Sequence, residues 1–149
     1  MSEKRKKRVM LIGNTGAGKT TLTQYLSKQE LKYSKTQTVQ IVNENIIDTP
    51  GEYLAYSYFR GTMMVTACDT DLIIFVQDAS AATTMFPPAY ASLFGKPAVG
   101  VVTKADLATE EQIEKAKKYL LMAGASKIFV TSSYEGSGFE ELSDLLGFE

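Results

Sequence analysis

A glycine-rich stretch near the start of the chain contains a lysine and a threonine in a spacing that suits phosphate binding. Residues 13–20 read GNTGAGKT and fit the Walker A pattern G-x-x-x-x-G-K-[ST]. Such a loop points its backbone N–H groups inward, at the positive end of the helix that follows. Lys19 would reach the β- and γ-phosphates of a nucleotide, and Thr20 would bind Mg²⁺, which bridges them. The predicted phosphate-binding residues are Gly13, Asn14, Thr15, Gly16, Ala17, Gly18, Lys19, Thr20 and Thr21.

The flanking sequence predicts the two elements that must hold this loop. Residues 8–12, RVMLI, form the apolar run of a strand buried on both faces. Residues 21–31 carry Leu22, Tyr25 and Leu26 at helical spacing. The loop therefore lies where a strand turns into a helix, as a phosphate site requires.

Composition narrows the class of protein. The 149 residues are 44% hydrophobic and 22% charged, which is ordinary for a globular domain. No apolar run is long enough for a membrane span and the N-terminus is charged, so we expect a cytoplasmic protein. One cysteine and no histidine exclude an intrachain disulfide, the usual zinc sites and His-based triads. Chemistry must then use carboxylates, hydroxyls, lysine, backbone dipoles or a bound cation.

Charge is uneven along the chain. Residues 4–8 read KRKKR, whereas residues 9–149 carry 11 basic and 16 acidic side chains. We expect residues 1–7 to be a basic tail that keeps the terminus solvated, with no nucleic-acid partner, and residues 8–149 to be a single domain. Contact of the tail with anionic lipid or nucleic acid is the alternative.

A second motif follows a short predicted strand. Residues 46–51 read IIDTPG, which contains the D-x-x-G arrangement. Asp48 at the carboxyl end of a strand could hold Mg²⁺ through its water shell, and Gly51 could bring its N–H close to a γ-phosphate. Residues 53–69 are then predicted as a helix interrupted near Gly61.

The middle of the chain lacks one expected helix. Residues 71–78 form a continuous apolar strand, but residues 81–96 contain Pro87 and Pro88, which prevent a long regular helix. The apolar side chains of this segment would cover the sheet in place of a helix, or else form a partner surface. They are Met85, Phe86, Tyr90 and Phe94.

The last third of the chain repeats the alternation of strand and helix. A buried strand over 97–102 leads into TKAD at 103–106, and Thr109 with Gln112 forms a capping box for a helix that ends at Gly124. Pairs four residues apart, Glu111 with Lys115 and Glu114 with Lys118, would support that helix. Residues 127–130 form the last strand, and a second capping box begins at Ser137.

This order predicts an α/β fold with a mostly parallel, doubly wound sheet and its ligand at the carboxyl ends of the strands. The four motifs, at residues 13–20, 48–51, 103–106 and 131–136, all fall at such ends.

Two of these motifs resemble the base-recognition motifs of P-loop GTPases. TKAD resembles N/T-K-x-D, in which the carboxylate of Asp106 would accept two hydrogen bonds from guanine and the Lys104 stem would lie along the base. TSSYEG at 131–136 looks like the last GTPase motif, in which the backbone N–H of Ser132 would meet the guanine O6. Thr103, in place of the more usual Asn at the first position of this motif, makes the motif weaker evidence for GTP over ATP. The base-binding residues so implied are Thr103, Lys104, Asp106, Ser132 and Ser133.

The whole chain resembles the ethanolamine-utilisation/propanediol-utilisation proteins encoded with bacterial catabolic microcompartments. The resemblance covers residues 8–146 and lies in YSKTQ at 33–37, IDTPGEYL at 47–54 and VTKADL at 102–107. It implies a three-layer P-loop NTPase (Ras-like GTPase) fold and a role in ethanolamine or 1,2-propanediol breakdown. It also implies Mg²⁺ as cofactor, a cytoplasmic location at microcompartments, and shell proteins or catabolic enzymes as partners.

The chain departs from Ras-like GTPases in its two switches. Glu52 occupies the position of the glutamine that orients water, and a carboxylate beside a γ-phosphate is repelled, so we predict slow hydrolysis. Only 11 residues separate Thr36 from Asp48, which leaves room for a short strand hairpin around residues 43–45 and a shortened switch region. Thr36 is the candidate Mg²⁺-sensing residue by family match, with Thr38 as the alternative.

Three functions follow from these predictions. The first is a slow GTPase with Lys19, Gly51 and Glu52 as catalytic residues and Thr20, Thr36 and Asp48 as metal ligands. The second is an ATP-dependent acetate kinase, an activity proposed within the family. The third is a non-catalytic module that targets microcompartments.

Overall fold

A computed structural model describes residues 8–14, 16–19, 21–22, 40–43, 46–49 and 59–132. The basic tail at 1–7, the first helix beyond Leu22 and the second capping box at Ser137 lie outside these residues. The predictions made for them are not tested by the structure.

Within the described ranges, six strands form one sheet in the order β2-β3-β1-β4-β5-β6. Neighbouring strands are parallel except for β2 and β3, which are antiparallel, so the prediction of a mostly parallel sheet is confirmed. The strands are β1 (Val9–Gly13), β2 (Gln40–Asn43), β3 (Ile46–Asp48), β4 (Leu72–Asp78), β5 (Ala98–Thr103) and β6 (Ile128–Val130).

The central strands are apolar throughout because the sheet is buried on both faces. In β1, Val9 and Leu11 belong to one core cluster, whereas Met10 and Ile12 belong to the cluster on the opposite face. Side chains alternate between faces along a strand, so a strand covered on both sides needs a continuous apolar run. Leu22, which follows the phosphate loop, packs in the first cluster.

Two α-helices are described in full, and both contribute buried side chains to the second cluster. They are α1 (Arg60–Ala67), through Met63 and Ala67, and α2 (Glu110–Met122), through Ala116 and Leu120.

The boundaries of α2 follow the sequence closely. Both hydrogen bonds of the capping box between Thr109 and Gln112 are present, which confirms that prediction. Gly124 ends the helix with φ +107°, the left-handed conformation that glycine accepts readily. The two predicted ion pairs are not formed: Glu114 pairs with Lys117 at 3.1 Å and not with Lys118, and among the described residues no ion pair joins Glu111 to Lys115.

The helix predicted over residues 53–69 is described from Phe59 onward. α1 begins at Arg60, next to Gly61, and continues to Ala67. Residues 53–58 lie outside the described part of the chain, so the predicted interruption near Gly61 is not tested. A Cβ at this position would meet no atom within 4 Å, so the glycine is not required by packing.

Residues 79–97 contain no α-helix, only a 3-10 turn over Tyr90–Leu93, as the two prolines predict. The rings of Phe86 and Tyr90 are buried, with centroids 4.9 and 5.6 Å from that of Phe75 on β4. Phe94 meets Tyr90 edge-on at 5.2 Å. Aromatic side chains therefore cover the sheet here, as expected, whereas Met85 is 41% exposed.

The short hairpin predicted before the second motif is present. β2 pairs antiparallel with β3, with an irregular register between Ile41 and Asn43. Among the described residues, no helix has the length and apolar character needed to cross a bilayer.

Two glycine-to-alanine substitutions test this packing. A Cβ on Gly124 would lie 2.7 Å from the Cβ of Ala91 and would also require a positive φ, so Gly124→Ala should lower the free energy of unfolding by about 1–3 kcal/mol. Gly61→Ala, in open space on α1, should raise it by about 0.5–1 kcal/mol. Urea unfolding followed by circular dichroism measures both, and equal effects would contradict the assigned packing.

Candidate nucleotide-binding site

The phosphate loop follows β1 directly and turns into a helix. Gly16 and Gly18 have φ of +83° and +98°, conformations that favour glycine. The N–H of Ala17 donates to the carbonyl of Asn14 at 3.0 Å, which closes the turn. The N–H of Leu22 then donates to the carbonyl of Gly18 at 2.9 Å, a helical hydrogen bond. The loop therefore has the strand, turn and helix start that an anion nest needs.

Lys19 is only 8% exposed, and its stem runs past the end of β1. A Cβ on Gly13 would lie 3.3 Å from the Lys19 Cδ and 2.8 Å from the carbonyl oxygen of Val76. Glycine at position 13 thus leaves the space that the lysine stem and β4 occupy. This close approach explains why the first glycine of the motif is needed in this chain.

Thr103 joins the end of β5 to the phosphate loop. Its hydroxyl donates to the carbonyl of Ala17 at 2.5 Å and lies 3.3 Å from the carbonyl of Gln77. Thr103 is buried, and its side chain also lies where a Cβ on Gly18 would come within 3.3–3.4 Å. Support of the loop by Thr103 is a contact that the sequence did not reveal; its predicted contact with a base stays a prediction.

Lys104 reaches from the base-recognition motif to the same loop. Its Nζ donates to the carbonyl of Gly16 at 2.6 Å and lies 3.2 Å from Asp78 Oδ2. Its φ of +58° is uncommon for a residue with a side chain and turns the chain sharply after β5. The motifs at 13–20 and 103–106 therefore form one contiguous site.

Asp78, at the end of β4, was not among the predicted site residues. Burial acts to raise the pKa of its carboxyl group, but hydrogen bonds from Ser80 and the charge of Lys104 outweigh burial and hold the pKa below its usual value. The donors are the backbone N–H and hydroxyl of Ser80, at 2.8 and 2.6 Å from Oδ1. Asp78 is therefore ionised at neutral pH.

The second base motif meets the first through a side-chain hydrogen bond. The hydroxyl of Ser132 donates to Asp106 Oδ1 at 2.7 Å. Ser132 is buried, whereas Asp106 is exposed. The N–H of Ala105 also donates to the carbonyl of Thr131 at 3.2 Å, so backbone and side chains hold the two motifs together. The Asp106 carboxylate keeps a solvent-facing side that could accept donors from a base.

The D-x-x-G motif begins beside the phosphate loop. Asp48 ends β3 in register with Leu11 of β1, two residues before the loop. The buried hydroxyl of Thr49 donates to the carbonyl of Leu11 at 2.7 Å and fixes the chain as it leaves the strand. The backbone at Asp48 thus reaches the carboxyl edge of the sheet, where the predicted Mg²⁺ site should lie.

The structure places most predicted site residues at this edge, but not all are described. Those brought together are Gly13, Asn14, Gly16, Ala17, Gly18, Lys19, Thr103, Lys104, Asp106 and Ser132, with Thr21 in the helix that follows. The predictions that lie outside the described residues are Thr15, Thr20, Thr36, Gly51, Glu52 and Ser133.

A pocket of about 110 Å³ opens between the phosphate loop and the end of β4. Asn14 and Gly16 line it on one side, and Gln77, Thr83 and Phe86 are among the residues on the other. The buried Gln77 shapes that second wall, because its Oε1 accepts from the Thr84 hydroxyl at 2.9 Å and its Nε2 donates to the Thr83 carbonyl at 3.3 Å.

A metal at this edge would take oxygen ligands. Hydroxyl and carboxylate oxygens of the predicted set, Thr20, Thr36 and Asp48, suit Mg²⁺. The placement of Asp48 beside β1, and of buried Lys19 beside Gly13, is compatible with an ion bound together with phosphate oxygens. In the described part of the chain, no three Asp, Glu or Cys side chains come together as a metal cluster of their own.

Solved structures share this fold. The chain matches a bacterial selenocysteine-specific elongation factor EF-Sec with a TM-score of 0.68 and 20% identity, over 95% of this chain and 28% of that one. It matches elongation factor SelB from Methanococcus maripaludis, in complex with the GTP analogue GppNHp, with a TM-score of 0.66 and 23% identity, over 97% and 34%. The chain thus spans about a third of the length of each. The predicted P-loop GTPase-like fold is confirmed.

Sequence relatives identify the family to which the chain belongs. The family described as ethanolamine utilisation and propanediol utilisation matches residues 6–147, and the chain belongs to it. The propanediol utilization protein PduV of Citrobacter freundii is 40% identical over 91% of this chain and 90% of its own length. The Escherichia coli K12 protein named "Probable acetate kinase EutP" is 30% identical over 94% and 89%.

The hydroxyl of Thr103 can be removed with little change of shape. Thr103→Val puts a methyl group against the Ala17 carbonyl, so we expect the free energy of unfolding to fall by about 1–3 kcal/mol. Thr131→Val is the matched control. It removes the hydroxyl that donates to the Val102 carbonyl, but that carbonyl still accepts the backbone N–H of residue 131 at 2.8 Å. The control should lose only about 0.5–1.5 kcal/mol. Chemical denaturation of both variants gives the comparison, and equal losses would refute a special role for Thr103.

Proposed function

We propose that this protein binds GTP and GDP with Mg²⁺ and hydrolyses GTP slowly. The observation that supports this most directly is the contact of Lys104 with both Gly16 and Asp78, because it joins the predicted base-recognition motif to the predicted phosphate loop. A nucleotide is the ligand that needs a phosphate site and a base site at this separation.

The phosphates would lie on the loop. Backbone N–H groups of the loop other than that of Ala17, together with the Lys19 ammonium, would meet the phosphate oxygens at the start of the helix that contains Leu22. Thr20, Asp48 and Thr36 would hold Mg²⁺, which neutralises phosphate charge when bound.

The base would lie against the Asp106 carboxylate. Ser132 takes one lone pair of Oδ1 at 2.7 Å and so fixes the carboxylate in one orientation. Guanine offers two neighbouring N–H donors to such a group, whereas adenine does not, so the site favours guanine. Lys104, through its long stem, would contact the face of the base.

Slow hydrolysis is the expected consequence of the second switch. Gly51 would donate to the γ-phosphate, but Glu52 would bring a second negative charge to the place where water must be oriented. A switch ordered by the γ-phosphate can still report the nucleotide state to a partner without fast turnover.

Family membership indicates the biological setting. One relative is named a propanediol utilization protein, and the family is described for ethanolamine and propanediol utilisation. We therefore propose that the protein acts in the cytoplasm at bacterial microcompartments and that its partners are shell components or catabolic enzymes.

An ATP-dependent acetate kinase is the second candidate. It is favoured by the name "Probable acetate kinase EutP" of a relative that matches over 94% of this chain. The same Lys19 and Mg²⁺ would then transfer a phosphoryl group, and acetate would have to bind next to the γ-phosphate.

Calorimetric titration of the purified protein with Mg-GTP and Mg-ATP, each with and without acetate, separates the two functions. We expect tighter binding of GTP and no effect of acetate. Lys19→Ala should lose most of the triphosphate affinity and acts as the control for binding at this loop. Preference for ATP with coupling to acetate would replace the GTPase by the kinase.

Asp106→Asn tests the base site with its fold preserved. Asparagine keeps the Oδ1 acceptor for the Ser132 hydroxyl but presents an N–H₂ group to the base, which guanine cannot satisfy and xanthine can. Affinity for GTP should fall by about 1–3 kcal/mol and affinity for XTP should rise. Asp69→Asn, on the exposed turn after α1, is the control and should change neither. Unchanged GTP binding in Asp106→Asn would show that the base is held elsewhere.

A further inference from the structure

Asp78 is an ionised carboxylate that the proposed nucleotide chemistry does not yet use. Its side chain is 21% exposed, and both carboxylate oxygens have partners. Oδ1 accepts from the N–H and hydroxyl of Ser80, and Oδ2 lies 3.2 Å from the Lys104 ammonium. Ser80 in the loop after β4 therefore fixes the orientation of the carboxylate through Oδ1, and Oδ2 is left to pair with Lys104.

The position of Asp78 follows from the register of the sheet. Asp78 is paired with Thr103 across β4 and β5, so the residue after Thr103 leaves the sheet beside it. Asp78 also lines the pocket next to Asn14 and Gly16 of the phosphate loop. Three chain segments meet at this carboxylate: the end of β4, the base-recognition motif and the phosphate loop.

Lys104 needs a partner to stay in place. Its side chain is 35% exposed, and a long lysine side chain loses rotamer freedom when it is held on a single carbonyl. Asp78 restricts the ammonium to the position from which it donates to the Gly16 carbonyl at 2.6 Å. The carboxylate also offsets the positive charge, so the lysine can lie against a neutral carbonyl instead of turning to solvent.

We infer that Asp78 is a positioning residue for nucleotide binding: it holds Lys104 against Gly16 and so keeps the phosphate loop and the base motif in one arrangement. This inference rests on the proposed function, because nucleotide affinity is the property that Asp78 tunes. Asp78 acts through Lys104, because its own carboxylate oxygens are held by Ser80 and Lys104.

A double-mutant cycle tests this action through Lys104. Methylanthraniloyl-GDP with Mg²⁺ is titrated into the wild type, Asp78→Asn, Lys104→Ala and the double variant, and fluorescence gives the dissociation constants. We expect Asp78→Asn to bind about tenfold more weakly. The double variant should bind no more weakly than Lys104→Ala alone. Asp78 affects nucleotide affinity only by positioning Lys104, so removing Asp78 has no further effect when Lys104 is absent.

Asp71→Asn is the matched control, since Asp71 precedes the other end of β4 and accepts the N–H of Arg8 at 2.9 Å. It should change the melting temperature at most and leave affinity at the wild-type value. If Asp78→Asn does not fold, Ser80→Ala tests the proposal instead. This variant removes the hydroxyl that donates to Asp78 Oδ1 and should weaken methylanthraniloyl-GDP binding about two- to threefold.

The outcomes separate the two levels of the proposal. A wild type that binds no methylanthraniloyl-GDP removes the proposed nucleotide function itself. If the wild type binds, two results would refute the positioning role and leave the nucleotide function intact. One is unchanged affinity in Asp78→Asn. The other is a double variant whose loss of affinity is the product of the two single losses. Unchanged affinity in Ser80→Ala has the same meaning where only that variant folds.

Discussion

The hydrogen bonds from the end of β5 to the phosphate loop are the constraint on which the site depends. Thr103 donates to Ala17 and Lys104 donates to Gly16, so two neighbouring residues hold two loop carbonyls. With these carbonyls turned toward β5, the geometry of the loop is fixed by the protein before any ligand arrives. The same two residues begin the predicted base motif, so the carboxyl end of β5 sets the separation between the predicted phosphate site and the predicted base site.

Most of the sheet could be predicted because its strands are continuous apolar runs. Val9–Gly13, Leu72–Asp78 and Ala98–Thr103 are buried along their whole length or nearly so, and no amphipathic helix pattern competes with them. Capping residues at Thr109 and Gly124 fixed the ends of α2 equally well. The exposed ion pairs of α2 were predicted wrongly: Glu114 pairs with Lys117 and not with Lys118, because holding two long exposed side chains in one geometry gains little free energy.

The sequence indicated the motifs of the candidate site but not the contacts that support them. Motif spacing identified Lys19, Lys104 and Asp106, since each carries a group whose chemistry fits a nucleotide. Asp78 and the hydroxyl of Thr103 act through contacts between distant parts of the chain, and those depend on the register of β4 against β5. No local pattern in a sequence reveals a register, so such supports become visible only when the strands are paired.

The hydrogen bond between Thr103 and Ala17 also bears on how the chain is made. It spans 86 residues, and β1 lies between β3 and β4 in the sheet, so the first strand synthesised is enclosed by strands that come later. On the ribosome, residues 13–19 leave the exit tunnel long before Thr103 exists. The loop at residues 13–20 can therefore take its final form only after about two thirds of these 149 residues have been translated, and until then the candidate site is not assembled.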